Sequence, residues 1–281
     1  MARDYCGALI LGALFRARRV AALLFTVSVL CVPAQASIWP SATETDNGTQ
    51  PCFANLASEY GVIERVSDGD TVVLTDGRRV RLIGINTAEL NAKSNTLRSL
   101  ADKARDQLSA LLPKLEPVIL RVGKDSHDQH GRLLAHVIRR SDRFAVAHDL
   151  LRRGLAAQVS VAPNTACSGF HTTLEAQAQS RSVGLWQHID LWQLRAANSN
   201  PDERGFRLLI GEVTSVRKQK KHTTLLLDNA VQLRVRQSLA TQLPLNELIG
   251  KTIEIRGWLG AYKSQLRMRL HHHTNLRIVE H

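Results

Sequence analysis

The chain lacks several features that define common classes of protein. It has a single long apolar run, residues 20–32, which is shorter than the roughly 20 residues that a helix needs to cross a bilayer. This argues against a protein with several membrane spans. A glycine-rich phosphate loop, a Cys-x-x-Cys pair and a serine nucleophile motif are missing. Hydrophobic residues still make up 44% of the 281 residues, which excludes a disordered or collagen-like chain and allows one large or two small domains.

The apolar run predicts a secretory signal. Three arginines precede it, and small residues at the spacing of a cleavage site follow it and end at Ala36. We therefore expect residues 1–36 to be a signal peptide, and the protein to be exported to the periplasm or the medium without stable membrane association. An uncleaved signal anchor is the alternative, which the short run and the Ala-x-Ala site disfavour.

Cysteine is scarce, with four residues in the chain. Two of them lie in the predicted signal peptide, so that Cys52 and Cys167 remain. In an oxidising compartment two cysteines favour one disulfide. It would close a loop of 115 residues, for which loop entropy alone predicts a stabilisation of about 4–5 kcal/mol. The alternative is a pair of free buried thiols.

Hydrophobic periodicity divides the rest of the chain. Residues 37–60 are polar and aperiodic and predict a flexible leader. Over 61–187, short β-rich runs and tight turns indicate a three-stranded meander, followed by a helix at 97–112, two further strands and two further helices. Five strands with helices between and after them favour a small β-barrel of the OB type.

The C-terminal part predicts a second barrel. Residues 188–204 predict a linker, and residues 205–281 contain five β-rich runs with a short helix near 239–248, which again fits an OB-like barrel. The predicted fold class is thus mainly β with helices (α+β), an OB barrel followed by a second small OB-like barrel. The second unit carries 13 basic and 5 acidic side chains, a balance that suits a polyanion.

Four of these cations crowd into one predicted hairpin. They are Arg217, Lys218, Lys220 and Lys221. Since OB loops commonly hold single strands, we expect this hairpin to bind nucleic acid, and deletion of 205–281 to weaken that binding and flatten its salt dependence. A solvated hairpin that only aids solubility is the alternative. Trp258 and Tyr262 are the only candidates for exposed stacking aromatics, which favours backbone contact over base reading.

Acids and arginines recur at the strand ends of the first barrel. Residues 68–71 place two carboxylates in a tight turn, and residues 86–89 end the third strand with an amide and a carboxylate. Arg81 lies on that strand, and Arg132 opens a later one. Together they offer oxygen ligands for a hard cation, a free carboxylate and two guanidinium groups. Phosphodiester hydrolysis needs these parts. Each signal is weak alone, because Arg132 could simply pair with Asp128 and strand alternation does not fix where Arg81 points.

Here the chain resembles the staphylococcal-nuclease-like, or thermonuclease, family. The matching segments are 66–72 (VSDGDTV), 80–90 (VRLIGINTAEL), 128–133 (DQHGRL), 150–156 (LLRRGLA) and 183–186 (VGLW). The resemblance covers roughly 61–187, and the ordered set is specific although no single member is. It implies an OB barrel with helices and calcium-dependent cleavage of DNA and RNA that leaves 3′-phosphate ends. The region after 205 resembles an accessory barrel that some bacterial members carry.

The resemblance also implies roles for six residues. Asp70, Asn86 and the backbone carbonyl of Thr87 would bind calcium (Ca²⁺), Glu89 would be the general base, and Arg81 and Arg132 would bind the phosphate. Two residues depart from the family pattern: Asn86 stands where the best-known members have aspartate, and Ala88 replaces a proline. Loss of a ligand charge predicts weaker calcium binding.

Three classes of function therefore compete. The first is an exported calcium-dependent nuclease acting on DNA, RNA or both, with no protein partner expected. The second is a nucleic-acid-binding module whose nuclease site has decayed. Asn86, an amide where the family has aspartate, would be the first sign of that decay. The third is a periplasmic scaffold for other proteins, which predicts no salt-dependent affinity for DNA.

Overall fold

The structure is a computed structural model that describes residues 52, 55–200, 202–262 and 265–279. The predicted signal peptide and most of the predicted leader lie outside the described residues. Strands dominate the described chain and form two closed five-stranded barrels, as the sequence predicted. Among the helices described, none is long and apolar enough to cross a membrane.

The first barrel and its helices extend from Ala57 to Ser180. The elements are β1 (Ala57–Asp68), β2 (Thr71–Leu74), β3 (Arg79–Leu82), β4 (Ile85–Thr87), α1 (Asn95–Leu111), β5 (Pro117–His127), β6 (Leu133–Arg139), α2 (Val146–Arg152), β7 (Ala156–Gln158) and α3 (Ser168–Ser180). The strands β1, β2, β3, β6 and β5 close the barrel in that order, and β4 pairs with β7 outside it. Apolar side chains that alternate along the strands fill the interior, against the inner face of α1.

The barrel starts earlier than predicted. Ala57 pairs with Val122, and the next three residues of β1 continue the same antiparallel register with β5. Residues 57–60 therefore belong to the barrel and not to a flexible leader. The polar composition of this stretch did not predict a strand. Its side chains are exposed, and backbone pairing with β5 alone holds residues 57–60 in the sheet.

Two glycines shape the part of the barrel that carries the predicted site. Gly69 lies in the turn between β1 and β2, where a Cβ would come within 2.7 Å of the Cβ of Ala104 on α1. Gly84 separates β3 from β4 with φ +84°, a conformation that L side chains rarely adopt. Its freedom lets the chain leave the barrel after Leu82 and pair with β7 instead.

The second barrel follows in chain order. Its elements are β8 (Gln193–Arg195), β9 (Gly205–Lys218), β10 (His222–Leu227), β11 (Val231–Arg236), α4 (Gln237–Ala240), β12 (Thr252–Tyr262), β13 (Gln265–Leu270) and β14 (Leu276–Ile278), with 3-10 helices at Gly184–Leu191, Ala196–Asn198, Leu245–Leu248 and His273–Asn275. Pairing of β12 with β9 closes the ring β9-β10-β11-β13-β12. The helix predicted near 239–248 is two short pieces, because Pro244 lacks the backbone N–H that a continuing helix needs.

The segment predicted as a linker is instead part of the core. Within 188–204, β8 pairs in parallel with β9, and Trp192 is only 4% exposed. Its indole Nε1 donates to the carbonyl of Leu185 at 3.0 Å, and its ring stacks near Phe206 at the start of β9. Trp192, Phe206 and residues of α1 and β7 share one apolar cluster, so the two barrels are joined by packed side chains.

A buried polar contact reinforces this junction. Arg256 of β12 forms an ion pair with Glu175 of α3, and its Nη1 also donates to the carbonyl of Gln158 at 3.1 Å. Nearby, the side chain of Asn275 donates to the carbonyl of Ser160 at 2.7 Å and accepts from the Ser160 N–H at 3.0 Å. All five residues are buried. The second barrel is therefore fixed against the first by apolar and polar contacts together.

The two cysteines of the predicted mature chain are joined. Cys52 and Cys167 form a disulfide with a Cα–Cα distance of 5.2 Å. Cys167 is the residue that precedes α3, and it is buried beside Ile119 and Ile138 of the barrel. The bridge therefore ties the chain before β1 to the start of α3.

Candidate active site

Asp70 is the centre of the candidate site. It lies in the turn between β1 and β2, and it is only 6% exposed. The hydroxyl of Thr71 donates to its Oδ1 at 3.0 Å. Its Oδ2 accepts from the backbone N–H and the hydroxyl of Thr87 at 3.3 and 3.2 Å, and it forms an ion pair with Nη2 of Arg81 at 2.9 Å. Four donors therefore hold a carboxylate that the turn pushes into the protein.

Asn86 and Thr87 reach Asp70 from β4. Nη2 of Arg81 donates to Oδ1 of Asn86 at 3.0 Å, so that one guanidinium nitrogen lies between the oxygens of Asn86 and Asp70. The amide Nδ2 of Asn86 donates to the backbone carbonyl of Thr87 at 2.9 Å. The three oxygens that the family resemblance assigns to a metal thus lie in one connected cluster.

The chemistry of this donor set fits a hard divalent cation. A carboxylate, an amide oxygen and a backbone carbonyl are ligands that calcium accepts. In the structure the guanidinium group of Arg81 lies between the oxygens of Asp70 and Asn86. Asp68 lines the same cleft and adds a second carboxylate.

The acids around this cluster repel one another. Desolvation by burial raises the pKa of Asp68, and the charge of Asp70 raises it further. Glu89 is open to solvent by surface area, yet the surrounding protein partly desolvates its carboxyl, which raises its pKa. Asp70 and Asp68 add to that rise, while Arg81 and Arg132 oppose it. The negative charge is therefore only partly compensated by the protein itself.

Arg132 pairs with Asp128, which was the alternative interpretation of this arginine from its sequence. Its Nε donates to Oδ2 of Asp128 at 2.7 Å, and its backbone N–H donates to Oδ1 at 3.0 Å. Burial raises the pKa of Asp128, but hydrogen bonds from Arg132 and His130 outweigh it and lower the pKa overall. The side chain is half-buried and still borders the cleft, so the ion pair orients Arg132 without removing it from the site.

The predicted side chains meet in one cleft of about 680 Å³. Asp70, Arg81, Asn86, Glu89 and Arg132 all line it. Thr87 is attached to the same cluster through Asp70. The convergence of acids, oxygens and two guanidinium groups that the sequence predicted is therefore present.

The basic hairpin lies elsewhere. Arg217, Lys218, Lys220 and Lys221 are exposed where β9 turns into β10, and they do not line the cleft. Within the described residues none of the four pairs with an acidic side chain. Their binding of nucleic acid stays a prediction.

Sequence reasoning missed the contribution of the second barrel to the cleft. Trp258, Arg269 and His271 line it opposite the acids and arginines of the first barrel. A signal was present at Trp258, because alternation along β12 directs its ring away from the barrel interior that Ile255 fills. The sequence had already singled out Trp258 as an exposed aromatic, but no local signal placed its ring at the cleft of the first barrel.

A histidine-rich cluster is part of the core. The rings of His136 and His148 lie edge-on to that of His171, and all three are buried. Burial lowers the pKa of His148 to about 3 and that of His171 to about 4, so both are neutral at pH 7. Ligand atoms of His136, His171 and Cys167 lie within 4.8 Å of one another, but the sulfur of Cys167 is committed to the disulfide.

Comparison with known proteins agrees with this site. Residues 79–188 match the family model described as staphylococcal nuclease homologue. The chain contains a staphylococcal-nuclease-like domain. The match includes Arg81, Asn86, Glu89 and Arg132, whereas Asp70 precedes it. The chain is also similar to Endonuclease YhcR of Bacillus subtilis (strain 168), with 29% identity over 154 residues, or 50% of this chain. That similarity covers 12% of the length of the Bacillus protein.

Proposed function

We propose that this staphylococcal-nuclease-like chain is an exported, calcium-dependent nuclease that hydrolyses phosphodiester bonds of DNA, RNA or both. The observation that carries the proposal is the cleft in which Asp70, Arg81, Asn86, Glu89 and Arg132 meet. The family match and the similarity to an endonuclease support the same reaction class.

The residues divide into binding and proton-transfer roles. Asp70, Asn86 and the carbonyl of Thr87 would hold calcium, which when bound would offset the charge of the phosphate. Arg81 and Arg132 bind phosphate oxygens and stabilise the charge that develops on them. Both guanidinium groups are prealigned by carboxylates, Arg81 by Asp70 and Arg132 by Asp128, so little side-chain entropy remains to be lost on binding.

Glu89 takes the proton from the attacking water. It lines the cleft with an exposed side chain, and it makes no ion pair within the described residues. Desolvation and the neighbouring carboxylates make it a stronger base than an ordinary glutamate. Asp70, by contrast, is paired with Arg81 and is a calcium ligand in this proposal.

Replacement of Glu89 tests the mechanism. Glu89→Gln keeps the shape of the side chain but removes the base, so we expect turnover of single-stranded DNA to fall by about 10²- to 10⁴-fold. Binding of the same DNA should change little. The matched control is Glu64→Gln, an exposed glutamate of β1 outside the cleft. Unchanged turnover in Glu89→Gln would remove Glu89 from its role.

Calcium removal separates the nuclease from the main alternative. Cleavage should require calcium and stop when a chelator is added. Cleavage that continues in the presence of the chelator would support a nuclease but contradict its dependence on calcium. Binding of DNA without cleavage at any calcium level would favour a binding module with a decayed site, an alternative that the amide at Asn86 supports.

Export is proposed from the predicted signal peptide, which lies outside the described residues. Cell fractionation with N-terminal sequencing of the protein tests it. A chain beginning at residue 37 in the periplasm or medium is the expected result, and an intact cytoplasmic chain would contradict it.

A further inference from the structure

The second barrel presents an aromatic side chain and a cation to the catalytic cleft. Trp258 of β12 is 41% exposed, an unusual state for the largest apolar side chain. Arg269 of β13 is exposed. Leu259 pairs with Met268 in the antiparallel register of β12 and β13, so Arg269 lies next to Trp258 one position further along. Both line the cleft that contains Asp70 and Glu89.

The ring of Trp258 is held in place. The outer face of β12 also carries Arg256, which is buried and forms an ion pair with Glu175 of the first barrel. Along the same face the ring contacts Phe206 edge-on, with centroids 5.4 Å apart, and His271 at 6.2 Å. Trp258 is therefore the point where the interface between the barrels opens into the cleft.

Arg269 differs from the other arginines of this region. Arg81, Arg132 and Arg256 each form an ion pair with a carboxylate. Within the described part of the chain Arg269 forms no ion pair. Burial is the main cause that lowers the pKa of His271, and the nearby charge of Arg269 lowers it further. An uncompensated guanidinium next to an exposed indole, at the edge of a site for phosphate, matches the groups of a nucleotide.

We propose that Trp258 and Arg269 form a nucleotide-binding subsite of the cleft. Trp258 stacks on an unpaired base, and Arg269 binds a backbone phosphate next to the one that is cleaved. The inference rests on the proposed nuclease function and names its substrate class as single-stranded nucleic acid, because only an unpaired base exposes a face for stacking. The contacts of Trp258 with Phe206 and His271 hold its ring in place, so that little is lost in ordering it.

Binding measurements on a variant that does not cleave test the subsite. In the Glu89→Gln background, fluorescence anisotropy with a labelled oligothymidylate should give a Kd that is about 5- to 100-fold higher for Trp258→Ala. Trp258→Phe keeps an aromatic ring and should recover most of the affinity. Tyr262→Ala is the matched control, an exposed aromatic on the same strand that does not line the cleft, and it should leave the Kd within about twofold.

Salt dependence tests Arg269 separately. Loss of one phosphate contact should reduce the slope of log Kd against log salt by about 0.7 for a single strand. Arg269→Ala is expected to show this change, whereas Lys251→Ala, an exposed cation of the same barrel outside the cleft, should not. Tryptophan fluorescence gives an independent readout, since the oligonucleotide should quench emission in the parent and not in Trp258→Phe.

The outcomes distinguish this inference from the proposed function. Chelator-sensitive cleavage combined with an unchanged Kd for Trp258→Ala and an unchanged slope for Arg269→Ala would overturn the subsite and leave the nuclease. Weakened binding by these variants in a protein that never cleaves would support the subsite and overturn the nuclease. A parent protein that does not bind the oligonucleotide at all would overturn both. Equal thermal stability of the Trp258 variants excludes misfolding as the cause of weak binding.

Discussion

The ion pair between Glu175 and Arg256 predicts a large and pH-dependent contribution to stability. The two residues are 2% and 7% exposed, and Oε1 of Glu175 also accepts from the backbone N–H of Gln158 at 2.6 Å. Arg256→Met would leave the carboxylate buried with that single hydrogen bond. Breaking a buried pair in this way costs about 3–5 kcal/mol, so the melting temperature should fall by about 6–20 °C for a unit of this size.

The pH dependence follows from the carboxylate that is left behind. Burial raises the pKa of Glu175, and Arg256 opposes that rise. Without Arg256 the folded-state pKa moves further above the unfolded value, so the folded state gains protons relative to the unfolded state. Such a group favours folding below its unfolded pKa and loses that contribution as the pH rises through the folded pKa. The deficit of Arg256→Met should therefore be largest at pH 7 and above, and should shrink on acidification.

Urea denaturation of the whole chain between pH 4 and pH 8, followed by circular dichroism, measures this deficit. Arg277→Met is the matched control and should lose less, because Glu254 retains Gln193 at 3.3 Å and Arg256 at 3.6 Å. The double change Glu175→Gln with Arg256→Met should recover most of the loss, since neither charge remains unpaired. A deficit under about 1 kcal/mol at pH 7, or one that does not vary with pH, would refute the reasoning.

Two further changes test the site and the bridge. Asn86→Asp adds a ligand charge and should tighten calcium binding by about 10- to 100-fold in calorimetric titration; an equal Kd would show that Asn86 does not touch the ion. Replacing Cys52 and Cys167 by serine opens the 115-residue loop and should lower the free energy of unfolding by up to about 4–5 kcal/mol, whereas a loss below about 1 kcal/mol would contradict the loop-entropy argument.

Local signals predicted the fold well. The turn at 68–70, the helix that the structure places at Asn95–Leu111, and the strands of both barrels all follow from alternation, helical spacing and turn residues. These patterns depend on neighbours along the chain. The prediction of one helix near 239–248 was wrong for a local reason as well, because Pro244 separates two short helical pieces there.

Non-local packing explains what the sequence did not predict. Trp192 belongs to an apolar cluster formed by both barrels, and its partners Leu100 and Ala157 are distant from it in the sequence. The direction of Arg81 was open because alternation was continued through Ile83 and Ile85. The structure ends β3 at Leu82, and Gly84 turns the chain into β4, so that alternation stops there and Arg81 faces Asp70.

The junction between the barrels also changes how the second barrel has to be tested. Deletion of 205–281 removes Phe206 and Leu208 from the shared apolar cluster and leaves Glu175 without Arg256. A truncated chain that binds DNA poorly would therefore report lost stability as much as lost contacts. Point changes at Trp258 and Arg269 reduce this confusion, because Arg269 is exposed and Trp258→Phe keeps an aromatic ring against Phe206. If the subsite exists, the second barrel acts as one wall of the active-site cleft, and its exposed hairpin at 217–221 is a separate contact that the same salt-dependence measurement can assign.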